Sequence, residues 1–174
     1  MAVPTGASIT GKATEVKVTA GNNTVTCAAA HMVGTLTANA NGTVAEEILP
    51  ANTAFTGTST GSDCTSTGLG PVKVTVNSRL CLHITKGTDI GSVTGCTGAV
   101  TFSLNITNLG ITCHYEKASI GVEITTTPAD AQVKVLAGEN IKKENPDSVF
   151  CPPEGELDME FTLTTTDGTT LTFS

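Results

Sequence analysis

Residues 150–174 read FCPPEGELDMEFTLTTTDGTTLTFS. Within this stretch Leu157, Met159, Phe161 and Leu163 fall on every second position, and Glu156, Asp158 and Glu160 fill the gaps on one side. Alternation of period two is the mark of a β-strand with one dry and one wet face. Asp167-Gly168 then supplies a type I′ hairpin turn, and Leu171 and Phe173 continue the pattern on a returning strand.

The same period recurs upstream. Val16 and Val18 alternate with Glu15, Lys17 and Thr19, and Gly21-Asn22-Asn23 turns the chain into Thr24–Cys27. Val72, Val74 and Val76 interleave with Lys73, Thr75 and Asn77; Val100, Phe102, Leu104 and Ile106 with Thr101, Ser103 and Asn105. Ile120, Val122 and Ile124, then Ala131, Val133 and Val135, repeat it. Strands with a single apolar face belong to antiparallel sheets whose other face meets water. The expected fold is therefore all-β, an antiparallel β-sandwich of Ig-like or jelly-roll-like form, with a closed β-barrel as the alternative. Helix signals are weak, the best being one turn over Asn140–Glu144 before Pro146. The pattern also weakens between His31 and Phe55, where an irregular excursion is expected. No linker or fixed-period repeat divides the chain, so residues 1–174 read as a single domain, with 1–7 as a flexible N-terminal tail.

Composition agrees with strands and turns. Thr makes up about a fifth of the 174 residues and Gly contributes 18, while aromatics reach 3%. A net charge of −7, with nine basic residues in no cluster, argues against nucleic acid, whose phosphates need grouped Lys or Arg. No apolar run approaches the roughly 20 residues of a membrane-spanning helix, so no membrane insertion is expected.

Six cysteines, Cys27, Cys64, Cys81, Cys96, Cys113 and Cys151, are well separated, with no CxxC pair and no zinc-finger spacing. An even, scattered set in an acidic Thr/Gly-rich chain points to three disulfides and an oxidising compartment. Fifteen connectivities are open. Cys81 and Cys96 flank a short Gly/Thr segment, and Cys113 ends a strand while Cys151 opens the last hairpin, which leaves Cys27 for Cys64. MAVPTGAS has neither the basic start nor the apolar stretch of a signal peptide, so a secreted or cell-surface protein would have its leader peptide encoded upstream.

Chemistry-bearing residues are few. Acids two apart on a strand share a face at roughly 7 Å. This overlaps the spacing of the two carboxyls in inverting glycosidases, roughly 6.5–9.5 Å, and would also suit calcium. A solvated strand face kept charged to discourage edge pairing is the simpler reading of Glu156, Asp158 and Glu160. His31, His83 and His114 lack metal-ligand spacing. No nucleophile elbow, phosphate loop or cofactor fingerprint occurs, so no catalytic, cofactor or metal residue is assigned. Asn22, Asn41 and Asn105 begin N-x-T sequons that chance explains in so Thr-rich a chain.

The runs Ile111-Thr112-Cys113-His114-Tyr115-Glu116, Phe150-Cys151-Pro152 and Leu157–Leu163, with Arg79–Ile84 and Phe55-Thr56-Gly57 upstream, carry a resemblance. Over Thr24–Ser174 the chain resembles uncharacterised secreted, cysteine-bridged, Thr/Gly-rich all-β proteins of actinobacteria. The resemblance implies export and bridges at Cys27, Cys64, Cys113 and Cys151, and brings no catalytic residue. The expected function is a non-catalytic binding or structural module outside the cell, partnered by an extracellular protein or surface ligand. The alternatives are a subunit of an extracellular assembly or filament, joined through an edge strand, and a carboxylate-dependent hydrolase.

Overall fold

The computed structural model describes residues 5–40, 43–57, 62–85, 88–126, 131–144 and 148–165. The Asp167-Gly168 turn, the strand through Leu171 and Phe173, the sequon at Asn41 and the first four residues of the expected tail lie outside them. The described residues form fifteen strands: β1 (Ser8–Ala13), β2 (Val16–Ala20), β3 (Asn23–Cys27), β4 (Ala29–Ala40), β5 (Thr43–Thr56), β6 (Cys64–Ser66), β7 (Gly70–Val76), β8 (Leu80–Thr85), β9 (Ile90–Gly95), β10 (Val100–Ile106), β11 (Ile111–Lys117), β12 (Ser119–Thr126), β13 (Ala131–Val135), β14 (Asn140–Lys143) and β15 (Glu154–Thr165). The described residues contain no helix.

Pairing is antiparallel throughout and closes on itself twice. One circuit runs β1-β4-β5-β8-β9-β12-β13-β15 and returns to β1; the other runs β2-β3-β6-β7-β10-β11-β14-β15 and returns to β2. Both follow chain order, and a strand of one circuit runs on into a strand of the other: β1 into β2, β3 into β4, β5 into β6 and so on. The chain thus makes eight long passes in up-and-down order, the eighth being β15, whose first half pairs in the second circuit and whose second half pairs in the first. The expectation of an all-β antiparallel fold holds. The open sandwich does not, and the closed barrel, the alternative, is what forms. Alternation reports which face of a strand is dry; it is blind to whether the first and last strands meet, and here Ile9 lies opposite Thr165 and Val18 opposite Leu157.

Two local expectations are also corrected. The stretch from His31 to Phe55 is no irregular excursion but the longest hairpin, β4–β5, with register shifts between Met32 and Gly34 and between Leu36 and Ala38 that spoil its period. Asn140–Lys143 is a strand rather than a helical turn, held between β11 and β15, with Ile141 buried.

Most passes bend where the circuits join. Ala13 and Val16 are both buried with Thr14-Glu15 between them, and Cys27 and Ala30 repeat the slip. An odd residue inserted in a strand adds a bend of this kind. β15 has no slip: Gly155, Leu157, Met159, Phe161 and Leu163 are buried without a break in parity, so its alternation reads cleanly in the sequence. At the turns joining β2 to β3 and β10 to β11, Gly21 and Gly110 adopt φ of 61° and 64°, a region costly for any residue with a Cβ.

A single apolar core runs through both circuits, from Ile9 and Leu36 to Ile106 and Tyr115. Outward positions are polar, such as Ser103 and Asn105 on β10 and Asp158 and Glu160 on β15. This is the reverse of a membrane-embedded barrel, whose apolar residues face lipid, and no described helix is long and apolar enough to cross a membrane. Among the described strands each has a partner on both sides; the end of the terminal strand, the expected route of self-association, lies outside the described residues.

The disulfides join Cys27 to Cys64, Cys81 to Cys96 and Cys113 to Cys151. The first two link neighbouring passes near the bend, and the third ties the β14–β15 connection to β11, where the buried Tyr115 hydroxyl donates to the Pro152 carbonyl at 3.0 Å. Cys81 and Cys96 are 15 residues apart. Replacing both with Ala should lower stability by about 3 kcal/mol, as for a loop of that length. An unchanged urea midpoint would show the bridge to be dispensable.

Candidate functional site

The acidic row divides when its neighbours are placed. Glu156, Asp158 and Glu160 are all exposed. Asp158 lies opposite Lys17 on β2, and Glu160 opposite Lys134 on β13. Glu156 accepts a hydrogen bond from the Gly138 amide at 3.1 Å. Asp158 and Glu160 line a polar surface concavity of about 370 Å³ together with Lys12, Lys17 and Lys134, and Glu156 is not part of it. Opposite charges across neighbouring strands stabilise a sheet by a few tenths of a kcal/mol up to about 1. Asp158 and Glu160 therefore alternate with lysines across the strands, while Glu156, opposite Thr19 and Asn140, stands outside that pattern.

The histidines do not converge. His31 on β4 faces Ala54 of β5, and His83 on β8 faces Ala45, nine residues further back on that strand. His114 belongs to β11 in the other circuit. Among the described residues no three His, Cys, Asp or Glu side chains gather as metal ligands would. Asn22 is exposed in its turn, whereas the Asn105 side-chain amide donates to Thr112 Oγ1 at 2.7 Å.

A different carboxyl occupies the interior. β5 carries Glu46 and Glu47 side by side, and the pleat sends them opposite ways. Glu47 points outward to the Arg79 guanidinium, which donates to it. Glu46, opposite Leu36 on β4 and Leu82 on β8, points inward and is only 5% exposed. It is the one charged side chain among the buried described residues. Gly34 on β4 makes the space, since a Cβ there would collide with the Glu46 carboxyl.

Around Glu46 lies a cavity of about 80 Å³ inside the first circuit, walled by Met32, Ile48, Leu82, Ile120 and Phe161 among others. Phe102 and Met159 form its floor, and both also face the interior of the second circuit. Among the described residues Glu46 is the sole titratable side chain on the cavity wall. Burial pushes its pKa up to about 8, and no neighbouring charge offsets the desolvation. Among the described residues its carboxyl has no ion-pair or hydrogen-bond partner. At neutral pH the group is therefore a carboxylic acid, able to donate one hydrogen bond or to release its proton to a charged guest.

Sequence reasoning passed over Glu46. The available signal was parity: Val44, Glu46 and Ile48 share one face of a strand, so Glu46 belongs with the apolar set.

No protein-family model matches the chain, and no curated protein or solved structure matches it either.

Proposed function

We propose that the protein is a disulfide-stabilised, non-catalytic binding module that works outside the cell or on its surface, and that it holds a small ligand in the cavity beside Glu46. The observation that carries this reading is a lone carboxyl in an apolar wall. Burying such a group without a partner is unfavourable, and Leu or Met at the same position would pack without that penalty. Apolar cavities with one polar group of shifted pKa are the usual form of a small-molecule site.

Three disulfides favour an oxidising compartment, as does the resemblance to secreted actinobacterial proteins. A glycoside hydrolase of the usual kind would need two carboxyls facing one substrate. Glu46 has no second acid beside it in its cavity, and Asp158 and Glu160 are set against lysines.

Assembly into a larger extracellular structure is the second reading. It draws on Val149 and Phe150, 90% and 71% exposed beside Cys151.

Xenon tests the cavity, since it enters voids with apolar walls. Under xenon pressure the methyl resonances of Leu82, Ile120 and Val122 should shift and saturate, while those of Val25 and Ile106 in the second circuit stay still. A uniform, unsaturable drift of all core methyls would remove the cavity as a site.

A further inference from the structure

Three features of the cavity bear on what it takes. Its walls offer Glu46 no counter-charge: from β1, β4, β8, β9, β12, β13 and β15 only apolar or glycine positions face it. Its size is restrictive. A cavity needs about 10–15 Å³ for each water-sized unit, so about 80 Å³ accepts a guest of roughly five to eight non-hydrogen atoms. The whole molecule carries a net charge of −7, which draws cations towards it and repels anions.

We infer that the cavity binds a small primary ammonium, a protonated amine on a compact apolar group of four or five carbons, with the ammonium on the Glu46 carboxylate and the carbons against Met32, Ile48, Ile120 and Phe161. This rests on the reading of the cavity as a ligand site. The apolar group recovers surface from water, and the ammonium supplies the charge that the wall lacks.

Protons balance in a defined way. Below about pH 8 the free protein holds Glu46 as the acid. The entering ammonium keeps its own proton, and the Glu46 proton leaves to solvent as the ion pair forms. Binding therefore tightens as the pH rises towards 8, then fades above roughly pH 10, where an alkylamine loses its charge. A neutral guest that accepts a hydrogen bond from the acid would behave in the opposite sense, weakening above pH 8.

The test uses n-butylammonium, n-butanol and n-butyrate as probes, followed by the same methyl resonances at pH 6 and pH 9. Butylammonium should bind at least tenfold more tightly at pH 9 than at pH 6, and the Glu46→Gln protein should lose at least tenfold at pH 9. Butanol and butyrate should bind more weakly than butylammonium at pH 9. Equal binding of butylammonium by Glu46→Gln overturns the inference, as does butanol binding that exceeds it and fades with rising pH. The pH comparison on the unaltered protein stands whether or not the variant folds. If xenon fills the cavity and butylammonium does not, the ligand site survives and the ammonium is wrong. If neither enters, both fall.

Discussion

Raising the pH from about 4.5 to about 8 should remove about 4–5 kcal/mol of stability through one side chain, Glu46. In the unfolded chain its carboxyl ionises near 4.5, whereas in the folded protein burial delays ionisation to about 8. Between those values the folded state holds a proton that the unfolded state has lost, so stability falls with rising pH at about 1.4 kcal/mol per unit. Below 4.5 both states are protonated and above 8 both are ionised, and the contribution is flat in each range. Glu46→Gln keeps the shape and cannot ionise, so its stability should lack this slope while every other titrating group contributes as before. Urea midpoints at pH 5, 6, 7 and 8 for the two proteins isolate the difference. Parallel curves would mean that Glu46 reaches water in the folded state and that the cavity is not closed around it.

Phe102→Ala should cost about 3–5 kcal/mol, the range for removing a buried aromatic ring. Phe102 is 7% exposed on β10 and, with Met159, separates the cavity beside Glu46 from the interior of the second circuit. Removing the ring should join the two spaces rather than leave a sealed void. Met159 is flexible enough to lean into the gap, which would bring the cost towards the lower end. Guanidinium unfolding gives the cost, and xenon gives the geometry, because its shifts should now reach Leu104 and Leu157. A loss below about 1 kcal/mol, or shifts still confined to the first circuit, would show that the ring is not the partition.

The strands through Val72–Val76, Val100–Ile106 and Ile120–Ile124 are legible because each lies within one circuit and keeps its parity from end to end. The β4–β5 hairpin is illegible for the opposite reason: across the register shift opposite Met32 and Gly34, the buried positions of β5 pass from Val44, Glu46 and Ile48 to Phe55, on the other parity. Asn140–Lys143 has only Ile141 to show for a strand, and its lysines suit a helix as well; pairing with β11 and β15 decides the matter. Barrel closure depends on contacts between the two ends of the chain, and local pattern carries no record of them. The site follows the same logic. Glu156, Asp158 and Glu160 draw the eye because they are many and regular, and regular charge is what an outer face looks like. Glu46 passes as half of a charged pair with Glu47, and only its parity with Val44 and Ile48 sets it apart.

The seam where β15 meets β1 and β2 joins Ile9 to Thr165 and Val18 to Leu157. Bringing such distant residues together requires closing nearly the whole chain, and long-range pairings of this sort are slow to form. Until then the nascent sheet has two raw margins, β1–β2 on one side and β13–β14 on the other, each a template for pairing with another chain. β15 covers both at once, in both circuits, and it is the last described strand to be synthesised. Protection of the described sheet from aggregation therefore arrives in a single late event, when β15 drops into its slot and joins the two margins.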